Sequence, residues 1–211
     1  MKIAALLLTL SLTLTLKAQK EFEGTVVYNC TIKDSLHLLN AESAKLEFIV
    51  YFQNGLSRTE ESFQGVAKIR LYNDKTDETC MLIDLLGQRL AICDQASDAD
   101  QSSIRENLDL KLEKGKKEIA GYKCRKATLK NNSITISAYY TADLPVWQGE
   151  YELLPGMPLE IEYTIGDITM HYVATSIQNE SLASHLFEIP DSYEKLYMTE
   201  FQERFGSISI D

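Results

Sequence analysis

The segment that decides the fold is MPLEIEYTIGDITMHYVATSI, which runs from Met157 to Ile177. Apolar and polar residues alternate in it with a period of two on both sides of Gly166-Asp167, a pattern typical of two strands joined by a tight turn. With that turn, the facing apolar pairs are Ile165 and Ile168, Tyr163 and Met170, and Ile161 and Tyr172. Because a slip of one residue would exchange the two faces of each strand, the sequence predicts an antiparallel hairpin and its register together.

The same alternation extends over most of the chain. Further strands are predicted over Glu21–Ile32, Ala44–Phe52, 66–73, 77–84, 88–94, 108–112 and Tyr122–Leu129. Asn54-Gly55 follows the strand Ala44–Phe52 as a strong hairpin turn. At Asn131-Asn132, a two-residue turn would set Ala127 opposite Ile136 and keep apolar residues facing apolar residues.

The C-terminal segment switches to a helical period. From Asp191 to Gly206, the apolar residues at helical spacing are Tyr193, Leu196, Tyr197, Phe201 and Phe205. Asp191 and Glu194 resemble a capping box, and Gly206 can end the helix. No long helical pattern lies between the strands, which excludes a parallel βαβ architecture. The sequence therefore predicts a mainly β fold, with nine or ten antiparallel strands and a short C-terminal amphipathic helix.

The N-terminus has the order of a secretory signal. Lys2 is followed by the apolar run Ile3–Leu16 and by the small residue Ala18. That run is shorter than the roughly 20 residues that a helix needs to cross a bilayer, so we expect no transmembrane span. We expect residues 1–18 to be cleaved as a signal peptide, which would leave 19–211 as a single β-rich domain in the periplasm or secreted.

Charge excludes one class of partner. The chain carries 31 acidic and 21 basic residues and a net charge of -10. Such a charge repels nucleic acids, so we expect no nucleic-acid partner. Basic residues are concentrated in one stretch of this acidic chain, from Lys111 to Lys130. Its glutamates and alternating apolar residues favour a solvated strand face over a binding patch.

The four cysteines are Cys30, Cys80, Cys93 and Cys124. None forms a C-x-x-C pair, which argues against a zinc site or a redox motif. An exported protein meets an oxidising compartment, where cysteines commonly pair. If Leu86-Gly87 forms a two-residue turn, Cys80 faces Cys93 in a non-hydrogen-bonded pair and is a disulfide candidate. Cys30 and Cys124 then either pair with each other or remain buried free thiols.

No pattern in the sequence matches a catalytic motif. It has no G-x-S-x-G, H-E-x-x-H or glycine-rich phosphate loop, and His37, His171 and His185 lack metal-ligand spacing. On the predicted hairpin His171 faces Glu162, where a cross-strand ion pair is a simpler interpretation than a general base. The acidic cluster between 94 and 106 lacks the glycine of a calcium loop. We therefore expect no catalytic residue, no metal and no cofactor.

Aromatic residues raise the question of a binding groove. Trp147, the single tryptophan, lies two residues after Pro145 and either packs in the core or forms the rim of an apolar cleft. A sheet with one apolar face must cover it with a helix, a second layer or a ligand, and only one helix is predicted. The residues predicted to line an open groove are Phe48, Val50, Phe52, Ile136, Tyr140, Trp147, Ile161, Tyr163, Met170 and Tyr172. Each of them could equally be ordinary core.

Four segments carry a family resemblance. They are IAGYKCRKATL (Ile119–Leu129), ISAYYTADLP (Ile136–Pro145), LPGMPLEIEY (Leu154–Tyr163) and FEIPDSYE (Phe187–Glu194). In this order they resemble small secreted Bacteroidetes proteins of unknown function, the GLPGLI-related group, which looks distantly similar to the outer-membrane lipoprotein carrier fold. The resemblance implies a strongly curved antiparallel sheet, an incomplete barrel whose concave face holds acyl chains in the carriers. LPGMPLEI replaces the full GLPGLI signature, and no functional residue of a carrier can be matched to a position here.

Three functional hypotheses follow. The first is a non-enzymatic periplasmic binding protein for a lipid, lipoprotein or other apolar ligand, which requires a concave face that the chain does not fill itself. The second is a cell-envelope protein–protein interaction module that uses sheet edges or an exposed patch and has no small-molecule ligand. The third, an enzyme on the same sheet, has the least support because no nucleophile, base and orienting group converge in the sequence.

Overall fold

The computed structural model describes residues 22–34, 46–63, 66–85, 87–95, 108–132, 134–147, 151–165 and 168–206. The predicted signal peptide, His37, and residues 96–106 of the acidic cluster lie outside the described residues. Within the described ranges, no helix combines the length and the apolar character that a membrane crossing requires.

Twelve strands form one open, curved sheet. They are β1 (Gly24–Asp34), β2 (Leu46–Gln53), β3 (Leu56–Phe63), β4 (Val66–Asn73), β5 (Glu78–Leu85), β6 (Gln88–Gln95), β7 (Asp109–Ile119), β8 (Tyr122–Lys130), β9 (Thr135–Thr141), β10 (Met157–Ile165), β11 (Ile168–Asn179) and β12 (Glu194–Tyr197). Their order across the sheet is β12-β6-β5-β4-β3-β2-β1-β11-β10-β9-β8-β7. Ladders between described strands are antiparallel except that of β12 with β6, which is parallel. The predicted fold class is confirmed, with more strands than the nine or ten expected.

Two hairpins have the predicted register, and a third has the predicted turn. In β10 and β11, Tyr163 lies opposite Met170, and in β5 and β6, Cys80 lies opposite Cys93. Asn54-Gly55 joins β2 to β3, and both of its residues have a positive φ, 51° and 81°. Two-residue turns of this kind match the twist of the flanking strands, so turn and alternation fix the register locally.

The hairpin of β8 and β9 corrects one prediction. Its ladder sets Ala127 opposite Ala138 and not opposite Ile136. The connection takes four residues, and Asn131 closes it: its backbone N–H donates to the carbonyl of Ile134, whose own N–H donates to the Asn131 side chain. A shift by two residues keeps the same side chains on the buried face, so the apolar alternation did not distinguish the two registers.

The C-terminal helix begins later than predicted. Helix α1 spans Met198–Phe205 and ends, as predicted, at Gly206. The residues before it, Glu194–Tyr197, are extended and pair with β6. Tyr197 and Glu200 form the capping box in place of the predicted pair. Backbone pairing with β6 thus overrides the local helical pattern in the first expected turn.

The buried apolar side chains of the sheet form three clusters. The largest lies on β1, β2 and β8–β11, and the connection between β9 and β10 adds Leu144, Trp147 and Leu154 to it. A second cluster comprises Leu71, Cys80, Leu82, Ala91 and Cys93 on β4–β6. A third comprises Leu90, Ile92 and, from α1, the fully buried Phe201. Because Leu90 and Ile92 alternate with Ala91 and Cys93 along β6, the second and third clusters lie on opposite faces.

The crossing segment, residues 180–193, leads from β11 in the middle of the sheet to β12 at its edge. Gln53 donates a hydrogen bond to the carbonyl of Leu182 over 2.8 Å, and the Arg58 guanidinium donates to that of Leu186 over 2.9 Å. The apolar side chains of this segment that pack on the second cluster are Ile189 and Tyr193. The chain therefore covers this face of β4–β6 with its own C-terminal part.

Candidate functional site

The ten residues predicted to line a groove lie in or beside the largest cluster. Those buried in it, each at most 8% exposed, are Phe48, Val50, Phe52, Ile136, Tyr140, Trp147 and Ile161. The half-buried ones are Tyr163, Met170 and Tyr172. The alternation located the apolar face correctly. Among the described residues, however, that face is packed with the chain's own side chains.

The Trp147 side chain packs over this apolar face. Its side chain is 1% exposed. Its ring centroid lies 5.3 Å from that of Tyr151, 5.5 Å from Phe48 and 6.1 Å from Tyr28, distances typical of favourable aromatic pairs. The buried Tyr28 hydroxyl donates to the carbonyl of Pro158 over 2.7 Å. Among the described residues, no buried side-chain nitrogen or oxygen atom lacks a hydrogen-bond partner. Of the two roles considered for Trp147, the structure gives it the core role.

The half-buried residues form a small surface that we call the aromatic margin: Tyr163, Met170 and Tyr172. The two tyrosine rings stack with their centroids 6.0 Å apart and an angle of 8° between the planes. Their hydroxyls lie 2.9 and 3.4 Å from the Met170 sulfur. Burial strongly raises the pKa of Tyr172, so its hydroxyl stays protonated. The margin is thus a neutral, partly exposed continuation of the apolar core.

A polar cluster around Glu160 lies on the other side of the same strands. Its carboxylate contacts the Lys117 ammonium and lies 3.1 Å from the His171 ring. Burial works to raise the pKa of Glu160, but the hydrogen bonds with Lys117 and His171 outweigh it and hold that pKa below its usual value. His171 faces Glu162 in the ladder as predicted, yet it pairs diagonally with Glu160, so the predicted ion pair with Glu162 is wrong. A carboxylate held by two such groups is a structural ion-pair centre and not a free general base.

The cysteines separate into two kinds. Cys80 and Cys93 form a disulfide between β5 and β6. Cys30 and Cys124 are buried free thiols, the second of the two alternatives left open by the sequence. Burial raises the pKa of each to about 11, so both are protonated and unreactive at neutral pH. The Glu78 carboxylate lies within 4.8 Å of the paired sulfurs. Since those sulfurs are already bonded to each other, the group has no thiolate to offer a metal.

Strand β7 forms one edge of the described sheet, where β8 is its only ladder partner. Leu110 and Leu112 lie opposite Leu129 and Ala127, which are buried. The two β7 leucines are 40% and 58% exposed. They continue the apolar face of the sheet beyond the part that the chain covers. Because an edge strand also leaves main-chain groups unpaired, this edge is a template for another strand.

A bulge between Leu112 and Lys116 ends the regular part of this edge. Within it, the Glu113 carboxylate accepts a hydrogen bond from Thr128 over 2.5 Å and lies 3.5 Å from the Lys126 ammonium. Bulges commonly terminate pairing at sheet edges. The regular edge is therefore the short segment Asp109–Leu112, and we call it the β7 edge.

An open depression of about 650 Å³ lies beyond the bulge, and we call it the cationic depression. Its charged lining residues are Lys116, Lys117, Lys123, Arg125, Glu118 and Asp143, and its buried ones are Cys124, Tyr140 and Thr141. Lys117 is held by Glu160. Lys116, Lys123 and Arg125 make no ion pair with any described residue. Three cations that have no ion-pair partner in the part of the chain that the structure describes thus face solvent around one concave surface.

Sequence reasoning missed this arrangement because it assigned the basic stretch to a solvated face. The signal that could have found it is the turn Ala120-Gly121, whose residues have φ values of 48° and 84°. A two-residue turn there sets Lys116 directly opposite Arg125, as the ladder has it. Like charges on opposed residues are unfavourable, which makes this pair unusual for a face without a function.

Comparison with known proteins identifies one family model that matches the chain. It is described as the N-glycanase peptide N-terminal domain, and it matches residues 74–195, which is 122 of the 211 residues. No curated protein matches the chain.

Solved structures resemble the fold at low sequence identity. Two crystal forms of PNGF-II, in space groups P21 and C2, superpose with TM-scores of 0.56 and 0.53 at 16% identity, over 87% and 82% of this chain. The chain spans about a third of the length of those PNGF-II chains, 33% and 31%. The Mycobacterium tuberculosis lipoprotein LppX has a TM-score of 0.37 and 11% identity, over 76% of this chain and 89% of its own. That last likeness is distant and says nothing about what this chain binds.

Proposed function

Because this chain belongs to the family of N-glycanase peptide N-terminal domains, we propose that it is a non-enzymatic binding domain of the cell envelope whose partner is another protein. This chain spans about a third of the length of the solved PNGF-II chains. The Glu160 carboxylate is held by Lys117 and His171, so it is not free to act as a general base. Binding therefore accounts for the described residues better than catalysis does.

Location in the periplasm or outside the cell is part of the proposal. The N-terminal segment has the order of a secretory signal. The disulfide of Cys80 and Cys93 fits an oxidising compartment, since such bonds are rare in a reducing cytosol. The net charge of -10 fits a domain that does not bind nucleic acid.

The observation that carries the proposal is the β7 edge. Leu110 and Leu112 are two of the four exposed large apolar side chains among the described residues, and both lie on an edge strand. Strand addition uses main-chain hydrogen bonds for affinity and alternate side chains for specificity. An added strand would cover the two leucines and continue the apolar face. The opposite edge is less suited to this role because β12 has only four residues and leads directly into α1.

The experiment places a photo-crosslinking amino acid at Leu112 in the full chain, expressed in its own organism. The matched control carries it at Tyr197, which is 48% exposed on the opposite edge, against 58% for Leu112. We expect one discrete protein adduct from position 112 that is absent from position 197 and is lost when Leu110→Ser is added. Equal labelling from both positions, or none from either, would contradict binding at the β7 edge.

An apolar ligand is the second candidate, and the aromatic margin is the observation that favours it. Tyr163, Met170 and Tyr172 offer a neutral, partly exposed surface continuous with the core. An acyl chain would gain about 0.8 kcal/mol for each methylene buried there. Because Trp147 fills the face behind the margin, a long chain would have to displace it. Native mass spectrometry of the protein purified from its own envelope tests this candidate: a stoichiometric lipid supports it, whereas an apo mass unchanged by added lipid removes it.

A further inference from the structure

Charge is distributed very unevenly over this molecule. The hairpin of β7 and β8, from Asp109 to Lys130, has eight basic and three acidic residues and a net charge of +5, in a chain whose total is -10. Its basic residues are Lys111, Lys114, Lys116, Lys117, Lys123, Arg125, Lys126 and Lys130. A concentrated field of one sign attracts a partner of the opposite sign and repels one of the same sign.

Two of these basic residues form ion pairs with glutamates of the same chain. Lys117 contacts Glu160, and Lys126 lies 3.5 Å from Glu113. Lys116 faces Arg125 in the ladder, and neither makes an ion pair with a described residue. Opposed like charges cost free energy, and a bound anion would convert that cost into attraction.

The cationic depression is adjacent to the β7 edge along the same strand. Lys116 is the fourth residue after Leu112, at most about 13 Å away along an extended chain. One extended segment of a partner can therefore contact the exposed leucines and the depression together. The depression, of about 650 Å³, is large enough for more than one side chain.

From this juxtaposition, and resting on the proposed function, we infer that the partner presents an extended acidic peptide whose carboxylates enter the cationic depression. Its apolar residues contact Leu110 and Leu112, and its carboxylates contact Lys116, Lys123 and Arg125. Glu118 and Asp143 also line the depression, and they repel carboxylates that come close to them. The site therefore favours peptides whose carboxylates are spaced to reach the cations and avoid these two residues, and it does not bind all anions equally well. A second copy of the chain is disfavoured at this edge, because two such hairpins would bring like charges together.

The probe is a fluorescein-labelled twelve-residue peptide that carries valine at alternate positions in one half and glutamate at the same alternate positions in the other half, with threonine between them. Valine and glutamate then share one face of the added strand, as Leu112 and Lys116 share one face of β7. The comparison peptide has glutamine in place of glutamate. Anisotropy titrations use the full mature chain at 50 and 200 mM NaCl. We expect about tenfold tighter binding of the acidic peptide at low salt, and a smaller difference at high salt. The double variant Lys116→Glu/Arg125→Glu should remove that difference and leave neutral-peptide binding unchanged. Lys75→Glu, at an exposed turn, is the matched control and should change neither.

The outcomes separate the inference from the proposed function. If both peptides bind equally and the double variant has no effect, the inference is overturned and strand addition stands. If Leu110→Ser/Leu112→Ser leaves acidic-peptide binding intact, the proposed function at the β7 edge is overturned and the anion site stands. No acidic-peptide binding, or preferential binding of a heparin-derived hexasaccharide, overturns the inference. Self-association of the chain in sedimentation equilibrium, abolished by the double variant, would overturn it in favour of a second copy.

Discussion

Replacing Trp147 by alanine tests whether the chain itself fills the concave face of the sheet. The indole is 1% exposed and contacts the rings of Tyr28, Phe48, Phe52 and Tyr151 at centroid distances of 5.3 to 6.4 Å. Truncating a buried tryptophan of this kind costs about 3–5 kcal/mol in unfolding free energy, through lost transfer energy and the cavity left behind. Because the free energy of unfolding of a whole domain is roughly 5–15 kcal/mol, the variant should retain only a small part of its stability.

The assay is urea denaturation followed by far-UV circular dichroism, since the substitution removes the only tryptophan. Trp147→Phe should recover part of the loss, because phenylalanine keeps the aromatic contacts but fills less volume. Leu153→Ala, in the same connection but 47% exposed, is the control and should cost at most about 0.5 kcal/mol.

A loss below about 1 kcal/mol in Trp147→Ala would refute the reasoning, because a tryptophan packed on four rings cannot be removed so cheaply. The indole would then be a movable cover, and the apolar-ligand candidate would become the better one. A large loss, together with new binding of an acyl-chain probe by the variant, would mean that the side chain occupies the space that a ligand would need.

Three further predictions concern the cysteines and the polar cluster. Cys80→Ala/Cys93→Ala should lower the unfolding free energy by about 3 kcal/mol for a closed loop of this size, and dithiothreitol should lower the urea midpoint of the wild type but not of the double variant. With pKa values of about 11, Cys30 and Cys124 should react with Ellman's reagent at pH 8 only after unfolding; rapid labelling of the folded chain would contradict their burial. Since the folded pKa of Glu160 is below that of the unfolded chain, its stabilisation is present above about pH 4.5 and lost as pH falls through the folded value. Glu160→Gln should therefore cost roughly 1–2 kcal/mol at pH 7 and progressively less as the pH falls below about 4.5, and a cost that does not change with pH would contradict the ion pair.

Much of the fold follows from local sequence, because strand pairing across a short turn involves neighbouring residues only. The register of β10 with β11 and of β5 with β6 came from alternation plus a two-residue turn. The same reasoning gave the wrong register at Asn131, where a four-residue turn keeps the same parity and so leaves the same faces apolar. The start of α1 was also wrong, because pairing with β6 is a contact between residues distant in sequence.

The same distinction between local sequence and long-range contacts applies to the candidate site. The sequence by itself determined which residues are apolar, which strand face they share, and that the basic residues concentrate between 111 and 130. Only the tertiary structure decided that Trp147 covers the apolar face and that Lys117 pairs with Glu160. It also decided that Lys116 and Arg125, which make no ion pair with a described residue, lie beside an exposed edge. The physical reason is that periodicity reports which way a side chain points, whereas burial and ion pairing depend on which other element arrives on that side.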